Sequence, residues 1–538
     1  MVSKLQRTIL YDRHVALGAK MVEFGGWDMP VLYPSGIVEE HLAARKGSGL
    51  FDISHMGRFI IRGTGAVKFL QHVLSNNAEA LDVRERAAQY TLIPNETGGA
   101  VDDAYLYHFV EDEYLLVVNA ANRQKDWKHL QLFLKDYDDV DLIDRTEEVV
   151  MLALQGRMSR DLLGEIIQSG TLPEPMRNAV SIVTISDARV MVARTGYTGE
   201  PLSFELFARR EDGPMLWDQI MAKGATPVGL GARDTLRMEA GLPLYGHELG
   251  EDPEGNEIPM MACPLVKSAV SFSPLKGEFV GRAALARQFE ALGKIIARDY
   301  SMIADLPHLI RPIAVAGRGI ARSGARVFKG KKHVGYVTSG TMVPMWAAEG
   351  EGLASTQTDQ QQLRSICLAY IDSDIIEDEK VTIEIRGKAV DAVVVPFHLR
   401  SDAPPYARPI IFDHELQAEE LPVCEAPIKV RHLLEKTVEN TLWRQQECIN
   451  LIPSEMTISP MARLLSIMDP AFRYAEHRKL EAFYDAEIFY YQGIDFIAEV
   501  ERLLEEEMVK FLGCGEVEMR LISGQMANTA VFSAMVDY

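Results

Sequence analysis

Five prolines crowd the stretch SDAPPYARPIIFDHELQAEELPVCEAPIK at residues 401–429. Proline has no backbone N–H to donate, and its ring blocks helix interiors and central strands. No periodic element can run through this stretch. The chain must therefore fold as separate units on either side of a linker, expected over residues 401–431. At roughly 150 residues per domain, a chain of 538 residues has room for about three to four domains.

Composition narrows the possible partners. Against 56 basic side chains stand 77 acidic ones, a net charge of −21. Broad contact with nucleic acid or an anionic membrane needs basic surface, so neither is expected. A small anion held by a few local arginines remains compatible. The chain has no run of about 18 apolar residues, which argues against a membrane-spanning helix. The five cysteines, Cys263, Cys367, Cys424, Cys448 and Cys514, are scattered and form no CxxC pair. No disulfide framework or metal site is expected, and a reducing, cytoplasmic setting follows. The N-terminal MVSKLQRTILYDRH lacks the apolar core of a secretory signal.

Ahead of the linker the local patterns are mixed. AYLYHFV and YLLVVNA flank Glu111-Asp112-Glu113 as a hairpin of half-buried strands. KDWKHLQLFLKDY places Trp127, Leu130 and Leu134 on one helical face. RVMVART and LSFELFA pair as strands around TGYTGE, and LRMEAGLPLYG is a helix end stopped at Gly241. KHVGYVTSG is a strand leading into a glycine-containing loop. Strands and helices without regular βαβ alternation predict an α+β class. Beyond the linker, DFIAEVERLLEEEMVKFLGCG is a helix capped by Asp495 and ended by Gly513. Its stripe of Ile497, Val500, Leu504, Met508 and Phe511 is expected to pack into a core.

Several motifs follow one another in the first region. They are FGGWDMPVLY (24–33), GLFDISHMG (49–57), NETGGAVDD (95–103), LLVVNAAN (115–122), ARTGYTGE (193–200), FEL (204–206), GLGARDTLRMEAGLPLYGHEL (229–249), KGEFVGRAAL (276–285) and VGYVTSGT (334–341). An Asp pair beside Gly-Gly is, taken alone, a solvated turn. In this order the motifs resemble the aminomethyltransferase, or T-protein, of the glycine cleavage system, over about residues 10–400. The resemblance implies a three-domain cloverleaf with a central folate cavity. Residues 1–290 would form two intertwined folate-binding domains and residues 291–400 a β-rich C-terminal domain. The implied reaction takes an aminomethyl group from the lipoyl arm of H-protein, releases ammonia and delivers the carbon to tetrahydrofolate as 5,10-methylenetetrahydrofolate.

The same resemblance implies roles for individual residues. Asp103 is the catalytic carboxylate, with Asp102 beside it; a carboxylate there can orient the attacking folate amine and stabilise a developing cation. Glu205 takes the paired N–H groups of the pterin. This chain has three residues, Pro201, Leu202 and Ser203, where the family has two before the aromatic-Glu pair. One extra residue in a strand would reverse the direction of Glu205 unless a bulge absorbs it. Arg233 suits a carboxylate-bearing folate, against the plainer reading of a salt bridge to Asp234 or Glu239. Tyr197, Tyr90, Asn119 and Met56 match cavity-lining positions. The stretch IARDYSMIADLPHLI (295–309) looks like an insertion. Two alternatives share the fold: another folate-dependent demethylase or oxidase half, and a folate-binding protein without catalysis.

Residues 432–538 carry a second resemblance. ENTLWRQQECINLIPSEMTIS (439–459), RYAEHR (473–478), FYYQGIDFIAEVE (489–501) and SGQMANTAV (523–531) are similar to the N-terminal part of serine hydroxymethyltransferase, a pyridoxal-phosphate enzyme of aminotransferase-like α/β fold. That resemblance implies Glu455 as an acid-base group, Tyr474 and Tyr491 as active-site tyrosines, and Ser523, Gly524 and Gln525 as a phosphate-holding helix start. No residue matches that family's cofactor-binding lysine. Pyridoxal phosphate is therefore expected only if the domain is completed by further chain, and residues 432–538 are expected to be inactive alone. The sequence ends mid-helix in character, which leads to the expectation of a truncated frame.

Overall fold

The computed structural model describes residues 5–82, 87–173, 177–317, 319–349, 356–396, 398–399, 436–437, 443, 477–480, 486–489, 495–517 and 524–537. The chain divides into two units, Met1–His414 and Glu415–Tyr538. Among the described residues no helix is long and apolar enough to cross a membrane.

The first unit opens with a short helix (Tyr11–Ala16) and an antiparallel strand pair (Lys20–Phe24 with Trp27–Leu32), followed by helix α1 (Ile37–Lys46) and strands β1 (Gly49–Asp52), β2 (Gly57–Arg62), β3 (Ala87–Pro94), β4 (Ala100–Val110) and β5 (Glu113–Val118). Helix α2 (Arg123–Leu134) leads to β6 (Asp141–Asp144), β7 (Val149–Gln155), β8 (Val180–Ile185), β9 (Ala188–Ala193), β10 (Ser203–Arg209) and the short β11 (Thr226–Pro227). These strands form a five-stranded sheet, in the order β3-β4-β5-β2-β6, and a six-stranded sheet, in the order β8-β9-β10-β7-β1-β11.

The expected hairpin is β4–β5. Its turn places Asp112 at φ 55, a left-handed conformation that Asp tolerates better than most residues. Along β4 the side chains alternate between two cores. Ala104 and Leu106 join the cluster under α2 with Trp127 and Leu130. Tyr105, Tyr107 and Phe109 face a second cluster with Phe51, Ala232 and Leu236. This period of two gives Asp102 and Asp103 opposite environments.

The extra residue before Glu205 does not disturb the strand. Ser203 lies opposite Gln155 and the register runs unbroken to Arg209 opposite Val149. The added length is taken up in the loop ahead of Ser203, so Glu205 needs no bulge.

Helix α3 (Leu230–Glu239) ends just before Gly241, whose φ of +71 suits a glycine. Helix α4 (Arg282–Ile296) follows. In the stretch expected to be an insertion, Ile295, Leu306 and Leu309 are buried in one core cluster. Then comes a closed six-stranded barrel. Its strands are β12 (His308–Val315), β13 (Arg326–Lys329), β14 (Lys332–Glu349), β15 (Thr356–Asp372), β16 (Lys380–Ile385) and β17 (Lys388–Val394), with β17 pairing back to β12. The expected loop at Gly340 is not there, because β14 continues through it. A Cβ at Gly340 would sit 1.7 Å from the Ala321 carbonyl oxygen, so this glycine serves close backbone approach rather than a turn.

Two buried polar networks bind α3 to its surroundings. Glu239 accepts from Arg45 Nη2 at 2.8 Å, from Arg364 Nη2 of β15 at 3.1 Å, and lies 3.2 Å from His41 Nε2. Arg237 pairs with Glu248 at 2.8 Å, and Thr338 and Ser339 of β14 donate to the same carboxylate at 2.7 and 2.6 Å.

In the second unit, helix α5 (Asp495–Leu512) occupies the expected segment and Gly513 follows at φ +66. Along its apolar stripe Ile497 and Met508 are half-buried, Val500 and Leu504 are exposed, and Phe511 is 83% exposed. Helix α6 (Gly524–Asp537) begins at Gly524 and Gln525. The linker 401–431 and the positions Glu455, Tyr474, Tyr491 and Ser523 lie outside the described residues.

Candidate functional site

Asp103 is half-buried on β4, with its carboxylate held from two sides. The Tyr90 hydroxyl donates to Oδ2 at 3.0 Å, and Asn119 Nδ2 donates to Oδ1 at 2.8 Å. Tyr90 comes from β3, directly opposite Tyr105 in the sheet, and Asn119 from the end of β5. No basic side chain is within ion-pair distance of Asp103 among the described residues. Burial, then the negative charge of Asp102, pushes Asp103 up to about 7. At neutral pH it can both accept and return a proton.

Asp102 is fully buried on the other face of β4. Its oxygens accept from the Asn119 backbone N–H at 2.9 Å, Asn119 Nδ2 at 2.9 Å and Asn122 Nδ2 at 2.6 Å. The Asn119 amide thus bridges consecutive carboxylates.

Beyond Asp103 on the same face of β4 come Tyr105 and Tyr107, with ring centroids 5.2 Å apart. Tyr107 reaches across to the second sheet and donates to Glu205 at 2.5 Å; the Thr195 hydroxyl donates to the same oxygen at 2.5 Å. Glu205 is 6% exposed. Its other oxygen accepts no bond among the described residues.

Arg233 projects from the second turn of α3 with its guanidinium 4.8 Å from the Tyr197 ring centroid. The plainer reading fails on geometry: Asp234 is paired with Arg237, and Glu239 with Arg45 and Arg364. Nη1 of Arg233 is buried without a hydrogen-bond partner among the described residues. Burial lowers the Arg233 pKa, against the attraction of Glu205. Tyr197 is anchored by donating its hydroxyl to the Pro243 carbonyl, and it feels both Asp103 and Arg233. Met56 sits in the turn between β1 and β2, against the cluster of Tyr107, Ala232 and Leu236.

Asp103, Tyr90, Tyr197, Arg233 and Glu205 therefore belong to one electrostatic neighbourhood. It offers a proton-exchanging carboxylate, a second buried carboxylate with a spare oxygen, an unsatisfied guanidinium and several aromatic walls. Sequence reasoning missed Tyr105, Tyr107 and Thr195. The alternation Asp103, Tyr105, Tyr107 was the available signal for the two tyrosines; Thr195 is placed only by the β9–β10 pairing. His398 is buried with Nε2 3.0 Å from the Cys367 carbonyl oxygen, and its own carbonyl accepts from Arg364 Nη2 at 3.2 Å.

Residues 10–263 match the family model described as the GCVT N-terminal domain. The chain is 40% identical to an aminomethyltransferase of Thermus thermophilus over 392 residues, covering 73% of this chain and 98% of that protein. It is also 40% identical to the aminomethyltransferase of Rubrobacter xylanophilus, covering 74% and 95%. The crystal structure of glycine cleavage system aminomethyltransferase T from Bartonella henselae superposes with a TM-score of 0.61 at 28% identity, over 76% of this chain and all of that one.

Proposed function

The chain belongs to the aminomethyltransferase family and is a tetrahydrofolate-dependent aminomethyltransferase of glycine cleavage, and from that premise we propose how its residues divide the work. Lipoylated H-protein supplies the aminomethyl group and tetrahydrofolate receives its carbon. Ammonia leaves, and 5,10-methylenetetrahydrofolate and the dihydrolipoyl arm are the products.

Asp103 is the acting carboxylate. The observation that carries this is its placement: half-buried, without a cation, and held by Tyr90 and Asn119. An anionic carboxylate there orients the folate amine and stabilises the iminium-like carbon as ammonia departs. Its elevated pKa lets it take and return the proton that the amine loses. Asp102 acts behind it, fixing Asn119. Glu205 accepts the pterin N–H groups with the oxygen that Tyr107 and Thr195 leave free. Arg233 draws the carboxylate-bearing end of the folate, and Tyr197, Tyr90 and Met56 provide flat apolar walls.

The test is ammonia and 5,10-methylenetetrahydrofolate formation from aminomethylated H-protein, with and without tetrahydrofolate, for the chain and for Asp103→Asn. Folate-dependent turnover that collapses in the variant is the expected result. Tight folate binding without turnover in the unmodified chain would favour a folate-binding protein instead.

For residues 432–538 we propose a serine hydroxymethyltransferase-like start, on the order of its four motifs and on the helices at Asp495–Leu512 and Gly524–Asp537. Pyridoxal phosphate enters this reading only with the remainder of such a domain. Visible-absorbance titration of the chain with pyridoxal phosphate should show no tight complex. A three-domain division at 1–290 and 291–400, and a cytoplasmic setting, complete the proposal.

A further inference from the structure

Beneath Asp103, on the opposite face of β4, two carboxyl groups meet with no cation between them. Asp126 lies in the first turn of α2, which packs against β4, and it is fully buried like Asp102. Asp102 receives three N–H donors from Asn119 and Asn122. Asp126 receives none: both of its carboxyl oxygens are buried without an N–H or O–H donor among the described residues, apart from the neighbouring acid itself.

Two bare carboxylates side by side in a low-dielectric interior repel strongly, so such a pair is stable only when it holds one proton. The donor count decides where the proton resides. Asp102 has partners that favour its anion, whereas Asp126 has only Asp102 to bond with. Burial, then Asp102, raises the Asp126 pKa; Asp103 adds to this and Lys125 on the same helix opposes it. The Lys125 ammonium is directed away, donating to the Tyr245 hydroxyl at 2.7 Å.

We propose that Asp126 is a positioning residue for the transfer reaction: a neutral carboxylic acid whose O–H fixes the Asp102 carboxylate, which fixes Asn119, which fixes Asp103. This rests on the reading of Asp103 as the acting carboxylate. The unusual element is the charge state, since the acid supports the site as a hydrogen-bond donor and contributes no negative charge to it.

The experiment compares Asp126→Asn with Asp126→Leu. The amide keeps a neutral donor, so D126N should retain kcat within about twofold and leave the acid limb of the activity profile in place. D126L removes the donor. Its kcat should fall about tenfold or more with the KM for tetrahydrofolate little changed, as Asn119 and Asp103 lose their alignment. Its acid limb should stay in place, because Asp102 keeps the Asn119 and Asn122 donors that favour its anion and still repels Asp103. An acid limb displaced to lower pH in D126N would mean that Asp126 is ionised, and would overturn the proposal. So would wild-type kcat in D126L, or an acid limb displaced to lower pH there. Should D126L fail to fold, difference infrared spectroscopy of wild type against D126N decides. Above neutral pH the wild type should show a deuterium-sensitive protonated-carboxyl stretch that the variant lacks, and its absence would refute the assignment. That band reports the proton on Asp126 even if Asp103→Asn kept its turnover and the reading of Asp103 fell.

Discussion

The hydroxyl of Tyr107 and the carboxylate of Glu205 meet at 2.5 Å, although one belongs to the five-stranded sheet and the other to the six-stranded sheet. The Glu205 carboxylate is therefore aimed by a residue of the neighbouring sheet, with Thr195 as the second guide.

Removing the charge at Glu205 should weaken folate binding more than it slows chemistry. Hydrogen bonds to a charged group contribute roughly 1.5–3 kcal/mol, so Glu205→Gln should raise the Kd for tetrahydrofolate by about 10- to 100-fold. Tyr107→Phe leaves Thr195 in place and should cost less than the Gln variant. Isothermal titration on both variants checks the ranking; equal affinity of E205Q and wild type would remove Glu205 from the pterin contacts.

Asp103→Asn should lower turnover by about 10²–10⁴, the usual worth of a positioned acid-base group. In the wild type, activity should rise with pH through about 7, because the working form is the carboxylate. The same group predicts a stability change of opposite sense. Its folded pKa lies above the ~3.9 of an unfolded Asp, so the folded state binds more protons between those values and stability falls as pH rises through that window. The uncharged Asn variant escapes this loss and should melt a few degrees higher than wild type above neutral pH. Calorimetry on the folate-free proteins gives the comparison.

Arg233→Lys should not be a mild change. The guanidinium sits 4.8 Å from the Tyr197 ring centroid, and its buried Nη1 has no partner among the described residues. A lysine offers a point charge without the fork or the ring contact. The KM for tetrahydrofolate should rise about tenfold in steady-state assays with kcat much less affected; wild-type KM in R233K would show that charge alone suffices.

Glu239 governs acid stability. Desolvation would raise its pKa, but Arg45, then His41 and Arg364, hold it well below the usual carboxylate range. A depressed carboxylate contributes stability above its unfolded pKa of ~4.3 and loses it as pH falls below that value. Arg45→Met leaves a buried charge short of its main partner and should cost about 3–5 kcal/mol. Urea unfolding at neutral pH measures it, and a cost under about 1 kcal/mol would show that Arg364 and His41 suffice.

Local features were legible where one short segment decides them. The β4–β5 hairpin, the α3 stop before Gly241 and the α5 segment could be read from periodicity and punctuation. Contacts between distant segments could not. Gly340 reads as a loop residue because the Ala321 carbonyl that crowds it is remote in sequence. The stripe on α5 reads as core, yet Phe511 is exposed. Asp103 is visible through its motif, whereas no local pattern singles out Asp126. Its burial against Asp102 depends on how α2 packs on β4.

The networks around Glu239 and Glu248 draw on both sides of the first unit, since Arg364, Thr338 and Ser339 all come from barrel strands. A fragment ending ahead of the barrel would keep every residue assigned to the chemistry. It would also leave two buried carboxylates short of partners and α3 without its buttress. The barrel is thus not a detachable accessory: shuffling or trimming this protein at that seam would inherit the catalytic parts without the frame that holds Arg233 in place.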